Sequence, residues 1–206
     1  MTNVTLVRID DRLIHGQVVV KWLRYLPCKE ILIVDDNLWR DEFMQDVLRL
    51  AAPPDVRVSV APVQEAARRL GASVHNASLA DETAVHRSAG TLLAPGSANG
   101  RALDSLGGAA DNGHGVMVLV RSPQTALALL DHGFRFTELN VGGLAASEGA
   151  TRLYKSVSAT SEQIAALRTI QDRGVRVYFQ TVPEERSVGM SELLAARQPQ
   201  QEEPAR

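Results

Sequence analysis

The sequence predicts an α/β fold: an open, mainly parallel, twisted sheet with helices on both faces, forming one domain with a long insertion. Two observations predict it. Short β-branched runs alternate with longer amphipathic segments along most of the 206 residues, the pattern of repeated strand–helix–strand units. That alternation breaks once, between about Gly71 and Gly115, and then resumes.

Taken in order, "VTLVRI" (Val4–Ile9) reads as a strand and "GQVVVKWLRYL" (Gly16–Leu26) as a helix. "ILIVDD" (Ile31–Asp36) is a second strand, with aspartates where the chain leaves the sheet. "RDEFMQDVLRLAA" (Arg40–Ala52) has helical spacing and stops at Pro53-Pro54, since proline cannot continue a helix. "VRVSV" (Val56–Val60) is a third strand and "VQEAARRL" (Val63–Leu70) a third helix. The Ala-, Gly- and Ser-rich stretch from Gly71 to Gly115 has little sustained periodicity and too little apolar material for a core of its own. A structureless connection of that length is uncommon within a domain, so it reads as a surface insertion, with a lid over the ligand edge as the alternative. Beyond it, "VMVLV" (Val116–Val120) is a strand, and "SPQTALALLDHG" (Ser122–Gly133) a helix with an early Pro123 and Gly133 as its stop. "ELNVGG" (Glu138–Gly143) is a short strand ending in glycines. Ser161–Gly174 is a helix with Ser161 as N-cap, Val175–Val182 a strand, and "SVGMSELLAAR" the final helix. The domain is expected to span residues 1–198, with a polar, disordered tail over 199–206.

Composition narrows the function. A hydrophobic share of 45% and a charged share of 22% are those of an ordinary globular protein. A net charge of −2 gives no bulk attraction to nucleic acid or anionic lipid, so neither is an expected partner. No apolar run approaches the roughly 20 residues of a membrane helix, and "MTNVTLVRID" lacks the form of a signal peptide. Cys28 is the single cysteine, which excludes an internal disulfide and a cysteine-based metal cluster. The expected location is the cytoplasm.

In parallel α/β sheets, ligands gather beyond the carboxyl ends of the strands. "DDRLIH" follows the first strand, "DD" (Asp35, Asp36) the second, and "NVGG" a later one, so Asp11, Asp35, Asp36, Asn140, Gly142 and Gly143 are expected along one edge. Asp35 and Asp36 are read first as caps where the chain leaves the second strand, with cation or partner binding second, and a tight turn explains the glycines as well as function does. The densest chemistry is in "RIDDRLIHGQVV" (Arg8–Val19). His15 immediately precedes a helix whose first N–H groups lack helical partners, a ready site for an anion. Gly16 lets the backbone approach that anion closely, and Arg12 offers a planar fork for phosphate oxygens. Imidazole titrates near neutral pH and is a competent nucleophile there. Asp10 or Asp11 would orient it through its other nitrogen, as carboxylates do in catalytic triads. The cluster reads as a phosphoryl-acceptor site. The plainer alternative makes Asp11 a helix cap and Arg12 an ion-pair partner of Asp10. There is no glycine-rich loop with lysine, so a nucleotide is not the expected ligand.

The motif "RIDDRLIHGQV" resembles the opening of the sorbose/mannose-family IIB components of the bacterial phosphotransferase system. "IVDD" (Ile33–Asp36), "AAPPDVRVSV" (Ala51–Val60), "ELNVGG" (Glu138–Gly143) and "DRGVRVYFQTVP" are similar to that family in the same order, so the likeness covers about Val4–Leu70 and Val116–Leu194. The resemblance implies that His15 takes a phosphoryl group from a phosphorylated IIA component. It would then pass the group to a sugar held by the membrane subunits IIC and IID. It also implies phosphate contacts from Arg12, Gly16 and Gln17, an open α/β sheet, and a cytoplasmic protein held at the membrane only through partner subunits. Two features depart from the family pattern: the insertion, and Leu144 where methionine commonly follows the glycine pair.

His75, His86, His114 and His132 are scattered without ligand spacing, so no metal is expected, and nothing calls for a cofactor. Trp22 and Trp39 are assigned to packing, and Cys28 is expected to be buried and inert. Two other functions share the fold class. One is a non-catalytic regulatory or binding relative, favoured by the insertion and disfavoured by the intact "DDRLIHGQ". The other is a nucleotide-binding protein, disfavoured by the missing phosphate loop.

Overall fold

The structure, a computed structural model, describes residues 3–26, 28–71 and 115–195. The insertion and tail expected from the sequence lie outside the described residues, apart from the insertion's two ends at Gly71 and Gly115.

Among the described residues, nine strands and six α-helices follow one another: β1 (Val4–Asp10), α1 (Gly16–Tyr25), β2 (Cys28–Val34), α2 (Glu42–Ala51), β3 (Arg57–Ala61), α3 (Val63–Leu70), β4 (Gly115–Val120), α4 (Pro123–Asp131), β5 (Glu138–Gly143), β6 (Thr151–Tyr154), β7 (Val157–Ala159), α5 (Ser161–Asp172), β8 (Arg176–Phe179), β9 (Val188–Gly189) and α6 (Met190–Ala195). Seven strands form one sheet in the order β3-β2-β4-β1-β5-β8-β9. All neighbours in it run parallel except β8 and β9. β6 and β7 make a separate antiparallel hairpin.

Alternation along β1 decides what each face of the sheet carries. Val7 and Ile9 point into a core shared with α3, α4, α5 and α6, through Ala66, Leu129, Leu167 and Met190. Leu6 points the other way, into a core with Val19 and Trp22 of α1 and Leu48 of α2. Helices therefore cover both faces, as expected. β1 sits at a topological switch point: α1, after β1, lies on one face, while α4, after the adjacent β4, lies on the other. The crevice beyond β1 is where such sheets bind ligands.

Some local expectations need correction. The helix expected from Arg40 is a short 3₁₀ turn (Leu38–Arg40) followed by α2, which Asp41 caps by accepting from the Met44 amide. That turn buries Leu38 and leaves Trp39 exposed, so Trp39 is not a core residue, whereas Trp22 is fully buried. The N-cap of α5 is Thr160, one residue before Ser161, in a reciprocal capping box with Gln163. Val188–Gly189 pair with β8 before the last helix starts. The hairpin β6–β7 had no expected counterpart.

Candidate active site

The chain leaves the carboxyl edge of the sheet at Asp10. The Leu13 amide donates to the Asp10 carbonyl at 3.0 Å, closing a tight turn over Asp11 and Arg12. Leu13 takes φ +56° and Gly16 φ +40°. A residue other than glycine in that left-handed region is uncommon and clusters at functional loops. His15 is extended (φ −138°, ψ 122°) and is the N-cap of α1, but its side chain makes no capping hydrogen bond. The contrast with α2, α4 and α5 is clear, because Asp41, Ser122 and Thr160 accept from first-turn amides of those helices. α1 also has no acidic residue in its first turn. A helix start without a capping side chain or a first-turn carboxylate is a setting that favours an anion.

Around that helix start, the structure gathers most of the residues singled out from the sequence. Asp10 is 1% exposed, and its Oδ1 lies 3.3 Å from the Arg12 amide and 3.5 Å from Arg12 Nε. The same oxygen is 4.0 Å from His15 Nδ1, which is also 3.5 Å from the Leu13 carbonyl oxygen. The His15 side chain is 28% exposed and that of Arg12 49%, so both reach solvent. Asp10, not Asp11, is the carboxylate beside the imidazole. Asp11 accepts from the Ala145 amide at 2.7 Å and donates its own amide to the Gly143 carbonyl, which ties the loop to the end of β5.

Asn140, Gly142 and Gly143 support the loop from beneath. Asn140 is fully buried. Pairing of β1 with β5 shifts register between Ile9 and Asp10, where Gly142 is the extra residue, and bulges of this kind gather next to active sites. Asp35 and Asp36 are on the same edge but apart from this cluster, since β4 stands between β2 and β1. Asp35 accepts from the amides of Asn37 and Leu38, and Asp36 accepts from the Val63 amide at the start of α3. Both are caps.

The sequence reading missed Arg8, which is 1% exposed within β1. Its Nη2 donates to Asp10 Oδ2 at 2.8 Å, and its Nη1 donates to Asn140 Oδ1 and to the Gln180 carbonyl. The guanidinium stacks 5.5 Å from the centre of the Trp22 ring. Burial lowers the Arg8 pKa from its ordinary value, and Asp10 opposes that shift. The signal was available: an arginine inside an apolar strand, two residues from an aspartate, puts opposite charges on one strand face. Arg121, at the carboxyl end of β4 and 3.9 Å from Asp35, was likewise not singled out. Among the described residues, no group of three or more His, Cys, Asp or Glu side chains is arranged to hold a metal ion.

Comparison with known proteins decides the family. The family model of the phosphotransferase system (PTS) sorbose subfamily IIB component matches residues 4–78 and 106–205. The chain belongs to that family. The stretch the IIB model leaves unmatched, 79–105, lies inside the expected insertion. The sorbose-specific EIIB component of Klebsiella pneumoniae is 30% identical over 192 residues, 93% of this chain and 95% of that protein. The fructose-specific EIIB component of Bacillus subtilis is 26% identical over 94% of this chain and 97% of that protein. The crystal structure of the IIBSor domain of the Klebsiella pneumoniae sorbose permease superposes with a TM-score of 0.71 at 26% identity. That superposition covers 96% of this chain and 99% of the other. The chain is therefore a PTS IIB component of the sorbose/mannose/fructose group. Among the described residues, no helix is long and apolar enough to cross a membrane.

Proposed function

We propose that this IIB component carries a phosphoryl group on His15 between a phosphorylated IIA component and a sugar held by the membrane subunits IIC and IID. The sugar class is mannose, fructose, sorbose or an amino sugar, as the names of the relatives suggest. The observation that carries the reading is the partly exposed imidazole at the start of α1, where no side chain caps the helix, flanked by the half-exposed Arg12 guanidinium. In the first step the P–N bond of the donor phosphohistidine breaks as a P–N bond to His15 forms. In the second, that bond breaks as a sugar hydroxyl attacks phosphorus, and the hydroxyl proton ends on the released imidazole. The α1 amides and Arg12 hold the phosphoryl oxygens in both steps, while Asp10 sets the ring. His15 and Arg12 are the groups that touch the phosphoryl group, and Gly16 and Gln17 contribute backbone amides. The protein would work in the cytoplasm, at the inner face of the membrane through its partners, as one domain spanning residues 1–198.

Both ends of the intervening segment, Gly71 after α3 and Gly115 at the start of β4, join the body away from the carboxyl edge. Incubation with phosphorylated IIA should give an acid-labile, base-stable modification of the full chain that His15→Ala lacks. Equal labelling of that variant would reject the assignment.

A further inference from the structure

A buried ion pair is a poor way to stabilise a core, because apolar residues of similar volume do as well or better. Arg8 and Asp10 form such a pair, and the strand beside them is shaped around it. Asn140 stands opposite Arg8 in the β1–β5 register and accepts from its Nη1. A Cβ on Gly142 would lie 1.9–2.0 Å from Cζ, Nη1 and Nη2 of Arg8, and a Cβ on Gly143 would lie 2.8 Å from Asp10 Oδ1. The "NVGG" segment is thus a cradle: the asparagine supplies an acceptor, and the glycines supply room. Asn140 also donates through Nδ2 to the Gln180 carbonyl, the same oxygen that Arg8 uses.

The two oxygens of Asp10 face opposite ways in function. Oδ2 is held by Arg8 inside the protein, while Oδ1 faces the Arg12 amide, Arg12 Nε and His15 Nδ1 at the edge. We propose that Arg8 is a positioning residue for phosphoryl transfer at His15: by fixing Asp10 from behind, it aims Oδ1 at the loop that presents Arg12 and the imidazole. The proposal rests on the reading that His15 carries the phosphoryl group. Arg8 itself is too deep to touch the phosphoryl group or a partner. Its effect runs through geometry, and displacements of about 1 Å at a reacting centre can cost roughly 10²-fold in rate.

The tests use the full chain and two phosphoryl donors, phosphorylated IIA and the small molecule phosphoramidate. Arg8→Lys keeps the positive charge beside Asp10 but lacks the planar fork that reaches Asp10, Asn140 and the Gln180 carbonyl together. Gly142→Ala keeps every charge and forces the guanidinium to move. Both variants should fold, by circular dichroism and a cooperative melt. Both should accept phosphate roughly 10- to 100-fold more slowly at saturating IIA, with KM for IIA unchanged and the same loss with phosphoramidate. If one variant does not fold, the other carries the test. A folded Arg8→Lys or Gly142→Ala protein that works at the parent's rate would overturn the proposal. So would a change confined to KM for IIA with phosphoramidate labelling intact, because that is a docking defect. Labelling of His15→Ala as strong as the parent's would instead sink the phosphocarrier reading, so the two failures are distinguishable.

Discussion

Replacing Trp22 with phenylalanine should weaken the anchor of the helix that presents His15, and the size of the effect follows from its contacts. Trp22 is fully buried, and its Nε1–H donates to the Thr181 carbonyl at 3.0 Å, joining α1 to the end of β8. Phenylalanine keeps an aromatic face under Arg8, whose guanidinium lies 5.5 Å from the ring centre, but loses that hydrogen bond. A lost hydrogen bond of this kind costs about 1 kcal/mol. The smaller ring also leaves a void of about 40 Å³, which at about 24 cal/mol per Å³ adds about 1 kcal/mol. The sum of about 2 kcal/mol corresponds to a fall in Tm of about 4–8 °C for a chain of this size. Arg8 keeps Asp10, Asn140 and the Gln180 carbonyl, so the folded variant should still accept phosphate from IIA. Thermal unfolding followed by circular dichroism, with Trp22→Ala as the larger reference change, measures the effect. An unchanged Tm would show that neither the hydrogen bond nor the fit of the indole holds α1 in place. A normal Tm with lost phosphorylation would show that the ring acts on the site directly.

Three further outcomes are expected. Arg12→Ala should slow transfer to His15 by roughly 10²-fold or more while folding is kept, as when a preorganised donor to developing charge is removed; a parental rate would reduce Arg12 to an ion-pair partner of Asp10. Deleting residues 79–105, which the family model leaves unmatched, should spare the fold and His15 labelling, because none of the phosphate-binding groups lies there; a folded but unlabelled deletion would tie the segment to the active edge. Burial pushes the Cys28 thiol up to about 11 from 9.0, so the unfolded chain ionises first and stability, fully present below about pH 9, declines as pH rises toward about 11. Tm of Cys28→Ala should therefore fall less than the parent's between those pH values, and an equal fall would exclude Cys28 as a source of the loss.

The fold was legible because its signals are local and repeated. β1, β2 and β4 are β-branched runs, and Val63–Leu70 and Glu138–Gly143 have the bounds read from the sequence. The hairpin β6–β7 escaped because "TRLY" and "VSA" are too short to show a period, and the pairing that makes them strands is non-local. Trp39 was misplaced because a 3₁₀ turn before α2 rotates it outward, and nothing in the residue type reveals the turn. At the site, the loop itself was readable: Asp10, Arg12, His15 and Gly16 are contiguous, and the structure brings them together. Asp35 and Asp36 lie on the same edge, and their bonds to backbone amides agree with the capping read for them from the sequence. The Arg8–Asp10 pair could be read from its spacing, but what holds it could not, because the contacts of Arg8 with Asn140 and Gln180 span 132 and 172 positions of chain.

That distance explains why the glycine pair looked ambiguous. From the sequence, Gly142 and Gly143 are equally well explained by a tight turn. In the structure neither has the left-handed backbone that a turn would demand. What excludes a side chain at these positions is a guanidinium and a carboxylate arriving from β1, so the requirement for glycine on β5 is set by charges on its neighbour. The dependence also runs in the other direction. Asp10 ends β1 with its position fixed by the sheet, and α1 is fixed at Trp22. The five residues between them must turn through Leu13 in a conformation that non-glycine residues avoid. A loop held at both ends and strained in the middle can present His15 in a narrow range of directions only while the carboxylate beneath it stays aimed. An apolar pair at Arg8 and Asp10 could fill the same space, but it would take the Arg8 donor from Asn140 Oδ1 and leave no charged oxygen at the edge.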